Sequence, residues 1–225
     1  LQPLTENCPK PLLPIHGKPL LHWIVAAFIS QGFYRFVIST HYKANMIKDY
    51  FGNGSWLNSE ISYVTEEVPL GTAGALSLIK PELFKNKPFI VTNGDIYTKL
   101  NYVSLLDYMK MKKAKAIICT RKHNSHVPFG VVYEQDRKVA YIDEKPTFTH
   151  QISSGICALT YDAAKITGYD SRIDMPDLIT KIINKENAVF TYPINNYWID
   201  MGSHEDYQKL QSDFAVLESS NVEYR

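Results

Sequence analysis

The chain of 225 residues holds only three cysteines, Cys8, Cys119 and Cys157, an odd number with neither a CxxC pair nor a Cys/His ligand spacing. That excludes a disulfide framework and a structural zinc site, and makes a reducing cytoplasm the expected compartment. Long apolar runs are also missing. The longest stretches, such as residues 23–29, are far too short to span a bilayer, and no basic segment followed by an apolar run opens the chain. Charge of one sign is lacking as well, because 24 basic and 23 acidic residues leave a formal net charge of +1. No global field therefore draws the protein to nucleic acid or to an anionic membrane, and any phosphate chemistry must rest on locally placed charges. There is no linker, repeat or low-complexity segment, and the seven histidines, His16, His22 and His41 among them, are scattered without triad or metal spacing. Packing or surface roles are expected for them.

What is present is a hydrophobic fraction of 45%, enough for one substantial core, and an alternation of short β-branched runs with segments of helical period. The pattern predicts helices over 20–30 (ended by Gly32), 44–51, 71–79 and 102–111, and strands over 36–40, 61–65, 89–92 and 116–120. From residue 130 closely spaced strands follow, over 130–134, 138–143 and 152–159, with a turn signal at Gln135-Asp136. A capping residue and an early proline, Asp174 and Pro176, precede a helix ending near residue 184, and a last helix runs from about 204 to 217. The fold class read from this is α/β, Rossmann-like and three-layered, with a mixed, mostly parallel sheet and a small antiparallel insertion. The chain reads as a single domain that opens at Leu1 without the strand such a sheet starts with, so residues upstream are expected.

Five segments carry candidate chemistry. Prolines flank Lys10 in the loop 1–14, which stiffens the loop and can hold an ammonium where a phosphate is clamped; a solvated surface lysine is the plain alternative. The segment Glu66-Glu67-Val68-Pro69-Leu70-Gly71-Thr72-Ala73-Gly74 follows a strand and opens a helix. Backbone at Gly71 and Gly74 can approach a flat ring or a phosphate, or simply pack closely on the sheet. Asn93-Gly94-Asp95 lies at the carboxyl end of a buried strand, where open α/β sheets bind ligands, although such turns end many strands for structural reasons alone. Glu144-Lys145-Pro146 and the run 197–202 complete the set, and Asp200 in its aromatic setting requires a partner or a metal.

Together, in order and spacing, these segments resemble the sugar-1-phosphate nucleotidylyltransferases, most of all the mannose-1-phosphate guanylyltransferase-like branch. The run 3–14 reproduces the P-L-T-x-x-x-P-K-P-L-L-P stretch of that family, and PLGTAGAL (69–76), NGD (93–95), FGVV (129–132), EKP (144–146), SGI (154–156) and WIDMG (198–202) follow in family order. The resemblance implies an enzyme that joins a hexose 1-phosphate to a nucleoside triphosphate and releases pyrophosphate. It implies that Lys10 contacts the triphosphate, that Pro69, Gly71, Thr72 and Asn93 belong with it to the nucleotide site, and that Asp95 and Asp200 hold Mg²⁺. It also implies that Glu144 binds sugar hydroxyls, that Lys145 binds the sugar phosphate, and that Gly130 and Gly155 line the sugar pocket.

Chemistry adds the base. An ionised Glu66 offers acceptors only, and guanine presents two adjacent donors, so GTP is the expected nucleotide. The family's GGxGTRL loop is not found within residues 1–225, and Ser153 stands where relatives carry asparagine, so the sugar is left open. A homo-oligomer and an N-terminal region upstream are also left open. The alternative readings are a catalytically inactive regulatory homologue that binds a sugar nucleotide, and a glycosyltransferase that consumes one. Against the second, such enzymes hold their metal with an Asp-x-Asp pair, where this chain has Asn93-Gly94-Asp95.

Overall fold

The computed structural model describes residues 1–84, 87–168 and 171–219. After a short helix α1 (Leu4–Asn7), the strands β1 (Pro14–Ile15) and β2 (Lys18–Pro19) form a tight hairpin, with His16 and Gly17 both at positive φ as a two-residue turn demands. Helix α2 (Leu20–Ile29) is apolar on nearly every face and is accordingly buried at Leu20, Leu21, Ile24, Val25 and Phe28. Strand β3 (Arg35–Thr40), helix α3 (Ala44–Phe51) and strand β4 (Glu60–Thr65) form a parallel βαβ unit. His22 fills a packing role there, stacked on Trp56 and hydrogen-bonded to the Tyr50 hydroxyl, as expected of an unclustered histidine.

Helices α4 (Gly71–Gly74) and α5 (Pro81–Phe84) precede β5 (Phe89–Thr92) and β6 (Ile96–Thr98). The predicted helix over 71–79 is only one α-turn followed by a 3₁₀ turn at Ala75–Leu78. Its first residue, Gly71, has φ +80°, and two glycines in four positions weaken the helix further. Helix α6 (Tyr102–Lys112) is capped by the Asn101 side chain, which accepts from the Ser104 amide at 2.8 Å, and Tyr102 stacks on Phe28 with centroids 3.7 Å apart.

Strand β7 (Ala116–His126), the hairpin β8 (Gly130–Gln135) and β9 (Lys138–Glu144), and β10 (Thr147–Leu159) follow. The antiparallel insertion is therefore present, but β7 and β10 are longer than their apolar cores, which span 116–120 and 152–159. Their outer halves pair from Thr120–Ser153 to His126–Thr147, and those exposed, polar segments are held by ladder hydrogen bonds and by side-chain pairs such as Thr149 donating to Asn124 at 2.9 Å. The chain continues through α7 (Tyr161–Ala164), α8 (Met175–Glu186), β11 (Val189–Pro193) and β12 (Trp198–Asp200) to α9 (His204–Ser219).

The central sheet has the order β11-β7-β10-β5 and is mixed. β11 runs parallel to β7, whereas β10 returns from the hairpin without a helical crossover and lies antiparallel to both its neighbours, which gives this sheet more antiparallel pairing than expected. Successive residues of the central strands face opposite layers. Ile117, Cys119, Ile156 and Ala158 join the cluster built from α2, α3, α6 and α9, and Ala116 and Leu159 join the cluster built from α4, α7 and α8. Helices thus cover both faces, which makes the body three-layered as expected. No helix among the described residues is long and apolar enough to cross a membrane.

Candidate active site

The run that carries Lys10 is rigid for identifiable reasons. Residues Lys10–Leu12 form a 3₁₀ turn closed by the Leu12 and Leu13 amides on the carbonyls of Pro9 and Lys10, and both leucines are buried. Pro11 rests on Gly94, where an added Cβ would stand 3.4 Å from the proline Cγ, and this contact sets Lys10 over the turn between β5 and β6. On the other side, β12 pairs antiparallel with β6 so that Asp200 lies opposite Ile96, and the Met201 amide donates to the Asp95 carbonyl at 3.0 Å. Asp95 and Asp200, far apart in sequence, are therefore neighbours at adjacent strand ends. The Lys10 ammonium pairs closely with Asp95 Oδ2 and stands 4.0 Å from Asp200 Oδ1.

Two acids facing one base leave an excess of negative charge. Burial and then the neighbouring Asp95 push the Asp200 carboxyl above its ordinary range; Lys10 acts in the opposite direction and Asp206 adds to the rise. Asp206 was not singled out in the sequence, although Ser203-x-x-Asp206 carries the signature of a capping box. The Ser203 amide donates to Asp206 Oδ2 at 2.9 Å and the Asp206 amide donates to Ser203 Oγ at 3.1 Å, which commits Asp206 to the start of α9. Asp95 Oδ1, by contrast, is buried without a hydrogen-bond partner among the described residues. An acceptor-only oxygen left so calls for a cation or water.

Lys10 also borders a cavity of about 600 Å³, lined with it by Leu1, Gln2, Thr5, Glu6, Tyr42 and Gly202. Leu1 is thus among the residues that line it. Tyr42 follows β3, and the end of β3 holds the second group of candidates: the Glu66 amide donates to the Thr40 carbonyl, and His41 Nδ1 lies 2.8 Å from the Glu66 carbonyl. Glu66 itself ties its loop together, accepting from the Ser39 hydroxyl at 2.5 Å on one oxygen and from the Leu70 amide at 2.9 Å on the other. Pro69 is exposed on that turn. At Gly71 an added Cβ would meet Asp174 Oδ1 and the Ile173 carbonyl, both at 2.7 Å, and at Gly74 it would meet Leu70 Cβ at 2.5 Å. Close packing against protein therefore requires both glycines. Asp174, expected to cap α8 with its own side chain, accepts instead from the Thr72 amide at 2.9 Å, because its carboxylate turns toward the glycine turn.

Asn93 joins the acid pair to the third group. Its amide donates to the Gly155 carbonyl at 3.2 Å, and Gly155, at φ +72°, lies so close that an added Cβ would stand 2.3 Å from Ile96 Cδ1 and 2.9 Å from Asn93 Nδ2. Gly155→Ala is accordingly expected to destabilise the protein by about 1–3 kcal/mol, from positive φ and overpacking together, measured by denaturant unfolding; an unchanged midpoint would contradict this geometry. Gly130 and Glu144 sit opposite each other at the base of the β8–β9 hairpin, where a Cβ would stand 2.9 Å from Glu144 Oε2 and the exposed carboxylate would have to shift. Lys145 follows at φ +51°, its amide donating to the Phe129 carbonyl at 3.2 Å. The hydrogen bonds and ion pairs of the described residues leave Glu144 and Lys145 as a group of their own, apart from Lys10, Asp95 and Asp200.

The aromatic setting of Asp200 is explained by Trp198, whose indole N–H donates to the Ser154 carbonyl at 3.0 Å and whose ring carries the Arg121 guanidinium 5.5 Å from its centroid.

Comparison with known proteins places nearly the whole chain among nucleotidyltransferases. Mannose-1-phosphate guanylyltransferase of Mycobacterium tuberculosis is 30% identical over 221 residues, covering 96% of this chain and 61% of its own length. D-glycero-alpha-D-manno-heptose 1-phosphate guanylyltransferase of Campylobacter jejuni is 27% identical over 209 residues, covering 92% of this chain and 91% of the relative. The chain thus spans about 60% of the length of the mannose-1-phosphate enzymes it matches and nearly all of the heptose one. The crystal structure of HddC from Yersinia pseudotuberculosis complexed with GMP-PN superposes with a TM-score of 0.72 at 27% identity, covering 95% of this chain and 93% of that one. The sequence profile of the nucleotidyl transferase family matches residues 1–215, the span that holds Lys10, Asp95, Asp200 and the turns around them, so the chain belongs to the nucleotidyl transferase family.

Proposed function

We propose that this chain is the catalytic part of a sugar-1-phosphate guanylyltransferase, which joins a hexose or heptose 1-phosphate to GTP and releases pyrophosphate. The observation that carries the reading is the convergence of Lys10 on Asp95 and Asp200, which stand at adjacent strand ends, with Lys10 itself lining a cavity. A sugar 1-phosphate is largely dianionic near neutral pH, with a second pKa of about 6, so its oxygen attacks the α-phosphorus without a general base. The new bond joins that oxygen to the α-phosphorus, the bond to the β-phosphate bridge breaks, and pyrophosphate leaves with the electron pair. The protein's work is positioning and charge neutralisation. Lys10 neutralises the triphosphate, Lys145 holds the sugar phosphate, and Glu144, with Gly130 and Gly155, receives the sugar. Pro69, Gly71, Thr72 and Asn93 form the nucleotide side.

The donor set fits Mg²⁺. It offers two carboxylates, one with a buried partnerless oxygen, and the described residues contain no cluster of three or more metal-ligating side chains; a hard cation that takes one or two protein carboxylates and completes its shell with phosphate and water suits such a site. Asp95 and Asp200 would hold it, and when bound it supplies positive charge to the phosphate oxygens.

Guanine is supported by the names of the relatives and by the nucleotide in HddC. It is also supported by Glu66, which keeps free acceptor sites after the bonds from Ser39 and Leu70 and is held by them in one orientation. The test is pyrophosphate release by the full-length protein with GTP, UTP, dTTP, CTP and ATP against a panel of hexose and heptose 1-phosphates. GTP is expected to be preferred, and Glu66→Gln to abolish most of that preference. Equal use of UTP or dTTP would overturn the base assignment, and binding of a sugar nucleotide with no turnover of any triphosphate would favour the regulatory reading.

A further inference from the structure

The glycine turn assigned to the nucleotide does not hold its own shape. Residues Gly71–Gly74 make a single helical turn in which Ala73 alone is a good helix former, opened by a glycine at φ +80°. A segment a hundred residues later supplies what the turn lacks. The Ile173 amide donates to the Leu70 carbonyl at 2.8 Å, and the Ala73 amide donates to the Ile173 carbonyl at 3.0 Å. Asp174 Oδ1 accepts from the Thr72 amide at 2.9 Å and from the Thr72 hydroxyl at 3.4 Å, and that hydroxyl in turn accepts from the Met175 amide at 2.7 Å. The first turn of α4 is thereby capped by the carboxylate that precedes α8, and the first turn of α8 is capped by the threonine of α4. Orphan amides at both helix starts are satisfied by exchange.

The Asp174 carboxylate also lies against Gly71, where an added Cβ would stand 2.7 Å from its Oδ1 and 2.7 Å from the Ile173 carbonyl. We propose that Asp174 is a positioning residue for the nucleotide: it clamps the Leu70-Gly71-Thr72 turn, so that the turn is ordered before the nucleotide arrives. The proposal rests on the nucleotide-binding reading of this turn. Its effect is confined to nucleotide affinity, because Lys10, Asp95 and Asp200 are placed by other elements, and a turn that must be ordered at binding weakens affinity by the fraction of time it is not competent.

The experiment compares the full-length protein with Asp174→Ala and with the near-isosteric Asp174→Asn, whose Oδ1 can still accept. Three quantities are read: GTP dissociation constant by calorimetry, steady-state constants for pyrophosphate release, and amide exchange over 71–74. Asp174→Ala is expected to raise the GTP Kd and KM about tenfold, to leave kcat and the KM for the sugar 1-phosphate within about twofold, and to speed exchange of the Thr72 and Ala73 amides about tenfold. Asp174→Asn is expected to restore most of each loss. An unchanged GTP Kd in Asp174→Ala would overturn the proposal even if exchange quickened, since the contact would then be structural only. Equal losses for both substrates would do the same. If the wild-type protein binds GTP but releases no pyrophosphate, the transfer reading fails while the clamp is still judged on Kd; if it binds no GTP, both fail.

Discussion

Asp200→Asn is expected to lower turnover by roughly 10²–10³-fold while leaving the Mg²⁺-free protein at least as stable as the wild type. The two effects have one cause. The Asp200 carboxyl is held above its ordinary range by burial and by Asp95, so its ionised form disfavours the fold. Stability from such a group is fully present below its ordinary carboxylate pKa and is lost as pH rises through the raised folded value. Asparagine removes the charge and with it that loss, but it also removes one of the two proposed cation ligands. The melting temperature without Mg²⁺ is therefore expected to hold or rise near pH 7, whereas a fall in both stability and turnover would mark Asp200 as structural. The same raised carboxyl makes protons compete with the cation, so apparent Mg²⁺ affinity is expected to weaken on acidification before an ordinary aspartate would begin to titrate.

Lys10→Met is expected to cost turnover to a similar extent, roughly 10²–10³-fold, with the opposite effect on stability. Here the ion pair to Asp95 is lost while the carboxylate remains, and that carboxylate already has one buried oxygen without a partner. Leaving it uncompensated is expected to destabilise the protein by about 1–3 kcal/mol, read from denaturant unfolding without Mg²⁺. The contrasting signs of the two variants are a sharper test than either loss of activity, because a general disturbance of the cavity would lower stability in both. Unchanged stability in Lys10→Met would show that the lysine is a solvated surface group.

Where sequence and structure agree, the local physics is self-contained. Helix α3 is found at the predicted 44–51 because an amphipathic run meets Gly52, and β5 is found at 89–92 because an apolar β-branched run ends in Asn93-Gly94. The outer halves of β7 and β10 were not legible, since residues 121–126 and 147–151 are polar apart from Phe148 and mostly exposed, and cross-strand pairing makes them strands. The helix over 71–79 was overread because a glycine-rich segment with apolar spacing does not reveal that its first residue takes a positive φ. Of the site, the acid pair was legible through the order of the family's motifs; no spacing rule brings residues 95 and 200 together, and that is the work of the β6–β12 pairing. The exchange of caps between Thr72 and Asp174 was illegible for the same reason, as Asp174 reads locally as the cap of its own helix and Thr72 as a residue inside a different one.

The most direct test of the central claim is the stoichiometry of one reaction. Full-length protein is mixed with GTP, Mg²⁺ and the preferred sugar 1-phosphate, and pyrophosphate and GDP-sugar are quantified together, for the wild type and for Asp95→Asn. Equal molar formation of the two products by the wild type, reduced by at least two orders of magnitude in the variant, is the predicted result. Pyrophosphate formed without GDP-sugar, or undiminished product from Asp95→Asn, would contradict it.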